Sequence, residues 1–295
     1  MKQMQQYLIF DVGATFIKWA RIQADLQICQ QGKFALNQAK SATLMLAQIG
    51  QIIQEQEKQN LIRAIGLATA GTVMPQRGII LGQNANIEGY GGLNLKELLG
   101  QYTKLPIYIE NDANAAILGE LTNINLKPQN ALMLTLGTDI GGGLVLNQEL
   151  YYGSSGMAGE IGFQTVQNDL RWGEYFSASG LIKLVKLNHQ QDCLAEEILK
   201  TTDPAIVKTR NFWYHGLANG IANLIATLNL DLIIIGGALS EAPTFDLKLL
   251  KKEINQFLKL PQFVDSYELM VAQFGNQAAL LGMASLIKKD LKKEA

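Results

Sequence analysis

Glu110, Asn111 and Asp112 stand in succession between a short apolar run, 107–109, and a helix-forming stretch that opens at Ala113. The run reads as a strand over 107–110, and 112–121 as a helix directly after it. A carboxylate at that junction has two uses. Asp112 can cap the helix. Held at the carboxyl edge of a sheet, where α/β proteins place ligands, it can instead accept the proton of a hydroxyl that attacks a γ-phosphoryl group. Asn111 can hydrogen-bond a second hydroxyl beside it, without the like charge that would raise the pKa of Asp112. Glu160, between Gly159 and the pair Ile161 and Gly162, is either a solvated loop acid or a further partner for a hydroxyl-rich ligand.

Three glycine turns accompany these acids. In the first, Asp11 ends an apolar run, Gly13 lets the chain turn with its N–H groups outward, and Thr15 adds a hydroxyl. This is an ordinary hairpin tip or an anion site, with Asp11 able to hold a Mg²⁺-bound water beside nucleotide phosphates. The second, Gly137, Thr138 and Asp139 followed by Ile140 and Gly141 to Gly143, implies positive φ angles or close approach by a ligand, or else a floppy loop. The third, Gly236 and Gly237 after the run 232–235, is a helix-entry turn or an access point for a ligand's flat face or phosphate. None is a Walker A loop, and Asp139 stands where a dinucleotide loop needs glycine. Two glycine hairpins and one strand-end pair suggest a cleft between two domains, spanned by a nucleotide.

The elements that must position these residues repeat. Strands 7–12 and 16–22, a helix 41–59, strand 64–69 and helix 93–102 precede the acidic junction. Strands 131–136 and 144–146, helices 181–187, 193–199 and 212–228, strand 232–235, helix 247–258, strand 268–272 and helix 277–289 follow it. The shared order predicts two α/β domains of similar plan, with a boundary near 121–130, where Asn, Lys and Pro interrupt the pattern.

Composition excludes several classes. With 48% hydrophobic and 17% charged residues over 295 positions, the chain should build a substantial core. Lys plus Arg total 25 against 26 acids, which gives no electrostatic footprint for nucleic acid. The basic runs 248–252 and 288–293 read as solvated helix faces. Cys29 and Cys193 make neither a disulfide framework nor a zinc motif. No apolar run is long enough to span a membrane, and the start shows no signal-peptide pattern, so a cytoplasmic protein is expected.

The residues resemble the ROK family of sugar kinases and sugar-responsive repressors, within the hexokinase–actin superfamily. Four motifs match in the family's order: 11–15 is similar to its first phosphate motif, and 110–116 with Glu120 to its catalytic segment. The stretch 137–143 is similar to its second phosphate motif, and 231–240 to its adenosine motif. The resemblance implies a two-domain actin-like (ribonuclease H-like) ATPase fold with an interdomain cleft. The small domain would be 1–121 with a returning helix at about 277–295, and the large domain 122–276. It implies an ATP- and Mg²⁺-dependent carbohydrate kinase in which Asp112 deprotonates the acceptor hydroxyl, usually that on carbon 6. Asn111, Glu160, Gly71 and Asn86 would contact the sugar. Asp11, Gly13, Thr15, Lys18, Gly137 and Thr138 would face the phosphates, with Gly236 and Gly237 near the adenosine. A homodimer is implied as well; the aromatic residues of 172–176 and 212–214 are either a surface for it or, as aromatic clusters more often are, core.

The departures bear on substrate. Phe163 stands where the family has a zinc-ligating histidine, and no cysteine run follows, so zinc cannot bind in the family's manner. The chain resembles the zinc-free branch, with kinases for β-glucosides and some amino sugars, and Glu174 takes the place of a sugar-binding glutamate. Asp139 would repel phosphate unless it points away or meets Mg²⁺. Two other readings stand beside the kinase. A repressor of this family carries a DNA-binding domain ahead of the first phosphate motif, and only ten residues precede Asp11 here. A non-catalytic sugar-binding or regulatory protein is the other.

Overall fold

The computed structural model describes residues 5–13, 15–36, 41–58, 60–82, 87–124, 126–166, 169–264 and 266–293. Ala14, Gln59, Asn86 and Asn125, which fall within features expected above, lie outside the described residues. The chain divides into two units: Met1–Ile124 with Gly153–Met157 and Asn276–Ala295, and Asn125–Tyr152 with Ala158–Gly275.

Unit 1 begins with β1 (Gln6–Val12), β2 (Phe16–Gln23) and β3 (Ile28–Ala35), joined as antiparallel neighbours. Helix α1 (Ala42–Glu57) follows, capped by Ser41, whose Oγ accepts from the Leu44 N–H at 3.4 Å. Next come β4 (Ile62–Thr69), a ribbon of β5 (Val73–Met74) and β6 (Ile79–Ile80), α2 (Leu95–Leu99), β7 (Ile107–Asn111) and α3 (Asp112–Leu121). The large sheet runs β3-β2-β1-β4-β7, with β1, β4 and β7 parallel. The sequence of β1 is apolar on both faces because the strand is central; Asp11 alone of its residues escapes full burial.

Unit 2 repeats the plan with β8 (Ala131–Leu136), β9 (Ile140–Leu146) and β10 (Glu149–Leu150). Then come α4 (Trp172–Phe176), α5 (Ala178–His189), α6 (Ala195–Lys200) and α7 (Pro204–Leu228), followed by β11 (Leu232–Gly236), α8 (Leu247–Leu258) and β12 (Glu268–Val271). Its sheet runs β10-β9-β8-β11-β12. Counted within each large sheet, both orders read third, second, first, fourth, fifth, which is the plan of the expected actin-like, ribonuclease H-like fold. The last helix, α9 (Ala278–Lys293), packs in unit 1 on α3, β1 and β4. Its contact with α3 is backbone to backbone: a Cβ at Gly119 would overlap the Ala278 carbonyl, and one at Gly282 the Ala115 carbonyl.

At two places the structure decides between alternatives. The aromatic residues offered as a dimer surface are largely core: Trp172, Phe176, Trp213 and Tyr214 are buried in unit 2, and Phe212 packs against that core. Gly141, Gly142 and Gly143 do not form a positive-φ loop but lie in β9, which starts at Ile140. A Cβ on Gly142 would stand 2.7 Å from the Gly159 carbonyl oxygen, so that glycine admits the protein's own backbone rather than a ligand.

Candidate active site

Parallel pairing brings the polar residues of unit 1 to one sheet edge. Asp11 is level with Ala68 and Ala68 with Glu110; Val12, Thr69 and Asn111 form the next row. Adjacent strands lie about 4.8 Å apart, so the backbones of Asp11 and Glu110 are about 10 Å apart across the sheet. Asp112 follows one residue beyond that edge.

The turn from β7 into α3 takes no loop, because Asn111 is itself the cap. Its Oδ1 accepts from the N–H groups of Ala113 (2.9 Å) and Asn114 (3.1 Å). Its Nδ2 donates to the Gly71 carbonyl at 3.1 Å, fastening the loop after β4 to the helix start. Glu110 is fully buried, and its Oε1 accepts from the Asn111 N–H (2.9 Å) and from Asn114 Nδ2 (3.0 Å). Asp112 is therefore not the cap that its type allows. It is the first residue of α3, partly exposed, with Oδ1 accepting from its neighbour Ala113 N–H at 2.9 Å.

Two residues not singled out from the sequence complete this edge. Thr69 Oγ1 and Tyr90 Oη lie 2.7 Å apart, both side chains buried. Burial holds the Tyr90 phenol well above its usual pKa; the hydrogen bond to Thr69 works against this, and the charge of Asp112 adds to it. Tyr90 thus stays a neutral phenol close enough to Asp112 to feel its charge. Gly71 adopts φ +95° beside open space, with nothing within 4 Å of where a Cβ would project.

At the first glycine turn, the Gly13 N–H donates to the Phe16 carbonyl at 3.2 Å, and Thr15 is exposed. Burial raises the Asp11 pKa, and the charge and hydrogen bond of Lys18 offset part of the rise. Lys18 Nζ lies 3.5 Å from the Asp11 carboxylate and donates to Asn276 Oδ1 at 2.8 Å.

In unit 2 the other two glycine turns share an edge, since Gly236 is level with Thr135. Gly237, at φ +94°, lies against the Leu136 backbone, which a Cβ there would strike. The start of α5 closes over the second turn: Ser179 N–H donates to the Gly137 carbonyl (3.2 Å) and Ser177 Oγ to that of Thr138 (3.3 Å). Asp139 stays half-exposed and is held by two contacts. Its Oδ1 accepts from the Ile140 N–H at 2.7 Å, and its Oδ2 meets Arg171 Nη2 at 2.8 Å. Glu160 is exposed and opens the 3-10 turn Ile161–Phe163, in which the Phe163 side chain is 68% exposed. Glu174, on α4, bonds Lys183 Nζ at 2.5 Å and lies 3.8 Å from Arg171 Nε. The hydrogen bond from Lys183 holds its carboxyl below the usual range.

Thr69 was discoverable from the sequence as the last residue of a strand parallel to β7. Arg171 carried no such signal, because its partner Asp139 is remote in the chain. Among the described residues, no three His, Cys, Asp or Glu side chains gather as a metal cage.

A family model described as the ROK family matches residues 7–290. The glucokinase of Halalkalibacterium halodurans is 31% identical over 96% of this chain and 95% of its own length. The beta-glucoside kinase of Listeria innocua is 30% identical over 92% of this chain and 94% of its own. The xylose repressor of Bacillus subtilis is 26% identical over 76% of this chain and 60% of its own. Of solved structures, the Lmo2764 protein of Listeria monocytogenes superposes with a TM-score of 0.83 at 27% identity, over 99% of this chain and 100% of its own. A ROK family glucokinase from Streptomyces griseus, in complex with glucose and AMPPNP, shares the fold at a TM-score of 0.77 and 24% identity, covering 95% of this chain and 98% of its own.

Proposed function

The chain belongs to the ROK family, and from that membership we propose that it is an ATP-dependent sugar kinase with Asp112 as its general base. The observation that carries the reading is the junction of β7 and α3. Glu110 accepts from the Asn111 N–H and Asn114 Nδ2, and Asn111 holds the helix start and the Gly71 carbonyl, while Asp112 is a partly exposed carboxylate whose charge reaches Tyr90.

In the reaction the acceptor hydroxyl gives its proton to Asp112 while its oxygen bonds to the γ-phosphorus. The bond from that phosphorus to the bridging oxygen breaks, and its electron pair leaves with ADP. Asn111 acts mainly by positioning: it fixes the helix start and the Gly71 loop against which the sugar lies. Glu160 and Glu174 are the sugar contacts assigned to unit 2, together with the Gly137 and Thr138 turn for phosphates and Gly236 and Gly237 for adenosine. In unit 1 the resemblance assigns the exposed Thr15 and Lys18, whose ammonium meets Asp11 and Asn276, to phosphate binding.

Asp11 fits a magnesium ion. Its buried carboxylate is only partly compensated by Lys18, so a further positive charge suits it, and Mg²⁺ is commonly held by one or two carboxylates with substrate phosphates. When bound through water at Asp11, Mg²⁺ would neutralise charge on the phosphate oxygens.

Asp112→Asn should keep sugar binding and lower kcat about 10²- to 10⁴-fold; a near-normal rate would remove Asp112 from this role. The exposed Phe163 ring suits an apolar substituent near carbon 1 or 2, such as an aglycone, a second ring or an acetamido group. Relatives named for glucose and for beta-glucosides support both extremes. Rates across glucose, N-acetylmannosamine, fructose and cellobiose locate the preference, and equal rates on all four would contradict a tailored pocket. The likeness to a repressor supports the alternative of sugar binding without turnover. ATP consumption stimulated by a sugar separates the two. The homodimer that the resemblance implies is checked by sedimentation equilibrium.

A further inference from the structure

One charged pair in unit 2, Asp139 with Arg171, has been given no role above, although Arg171 Nε also lies 3.8 Å from the assigned sugar contact Glu174. Asp139 ends the phosphate-side turn, and Arg171 follows the segment that carries Glu160 and Phe163. The guanidinium of Arg171 is engaged on its edge by Asp139 Oδ2 at 2.8 Å, and its Cζ lies 5.2 Å from the centroid of the Phe163 ring. The same carboxylate fills space beside two glycines. A Cβ on Gly162 would stand 2.8 Å from Asp139 Oδ1, and one on Gly173 would overlap it. Gly162 lies two residues after Glu160, and Gly173 two after Arg171, so both segments fold around one carboxylate.

The backbone on which Arg171 sits is anchored independently of that ion pair. Thr165 and Arg171 form an antiparallel bridge, and the Trp172 N–H donates to the Gln164 carbonyl at 2.7 Å. The Trp172 indole is fully buried, and its Nε1 donates to the Gly216 carbonyl at 3.1 Å. The side chains of Arg171 and Asp139 are 35% and 46% exposed, and ion pairs so exposed add little to stability. What the pair does add is a link. The guanidinium balances the charge of Asp139 beside the phosphate-side turn while it seats Phe163 on the acid-bearing turn.

We propose that Arg171 is a positioning residue that couples the Gly137 and Thr138 turn to the turn of Glu160 and Phe163, so that sugar and nucleotide tighten each other's binding. The proposal rests on the kinase reading. Phosphates near Thr138 favour the arrangement in which Asp139 is neutralised by Arg171, and that arrangement holds Phe163 and Glu160 in place for the sugar. Linkage makes the effect reciprocal.

The test is calorimetric titration of AMPPNP with and without the best sugar of the panel, in the wild-type chain and in Arg171→Gln, Asp139→Asn and Arg171→Lys. In the wild type the sugar should tighten AMPPNP by about tenfold, within the usual range of such couplings. Arg171→Gln and Asp139→Asn should abolish that factor, with melting temperatures close to wild type. Arg171→Lys should keep nucleotide affinity, because the charge remains, but lose most of the factor, because lysine cannot engage an edge and a ring face together. Coupling within twofold of wild type in either of the first two variants overturns the proposal, as does a wild-type chain that turns over yet shows no coupling. Absence of sugar-stimulated ATP consumption in the wild type overturns the kinase reading itself, and this proposal with it.

Discussion

Replacing Asn111 with alanine strips three hydrogen bonds from one junction: two from helix N–H groups to Oδ1 and one from Nδ2 to the Gly71 carbonyl. Loss of a capping side chain costs about 1 kcal/mol, and an ordinary neutral hydrogen bond contributes about 1 kcal/mol net. The expected total for Asn111→Ala is therefore about 2 kcal/mol. Serine is an equally good capping residue but carries no amide donor, so Asn111→Ser should cost about half as much. For a unit of this size, each kcal/mol lowers the melting temperature by about 2–4 °C. Alanine should thus lower it by about 4–8 °C and serine by about 2–4 °C. Thermal melts followed by far-ultraviolet circular dichroism measure both shifts, and urea titrations the free energies. Since either variant frees the Gly71 loop, both should also raise KM for the sugar. Equal costs for alanine and serine would show that the cap contributes nothing. A cost for alanine below about 0.5 kcal/mol would refute the whole account of the junction.

Gly119→Ala should destabilise the chain by about 3 kcal/mol, the upper end of ordinary overpacking, because the new methyl meets a backbone carbonyl of α9 that cannot swing aside; the urea midpoint reads this directly. Asp11→Asn should raise the melting temperature at pH 7. The folded-state pKa of Asp11 is raised by burial, so folding favours its protonated form, and stability falls as pH climbs from the ordinary carboxylate range through that raised value. The advantage of asparagine should shrink toward zero below about pH 4, where aspartate is protonated in both states. A constant difference from pH 4 to 7 would contradict the burial argument. The same variant should weaken Mg²⁺-dependent turnover.

Much of this fold was readable because buried parallel strands are continuous apolar runs: β1, β4, β8 and β11 stand out for that reason. The edge strand β3 does not. Its Cys29, Gln30 and Gln31 are exposed, so it lacks the alternation by which a half-buried strand declares itself. Helix α4 is five residues long, too short for a period to show. At the candidate site, residue types pointed to the junction but not to the division of labour within it. Asparagine and aspartate both cap helices, and only the point at which β7 ends assigns the cap to Asn111 and leaves Asp112 partly exposed. The glycines of β9 leave several uses open from sequence, since a missing side chain signals that something comes close without saying what. The pairing of Asp139 with Arg171 belongs to tertiary structure alone, the partners standing 32 positions apart.

The place of α9 sets an order on biogenesis. Its groove partner α3 and its sheet partners β1 and β4 leave the ribosome early, whereas α9 is translated only after every strand of unit 2. Domains generally fold as units while the chain emerges. Unit 2 can therefore close before α9 has filled the backbone notch at Gly119. The half of the molecule that starts first finishes last.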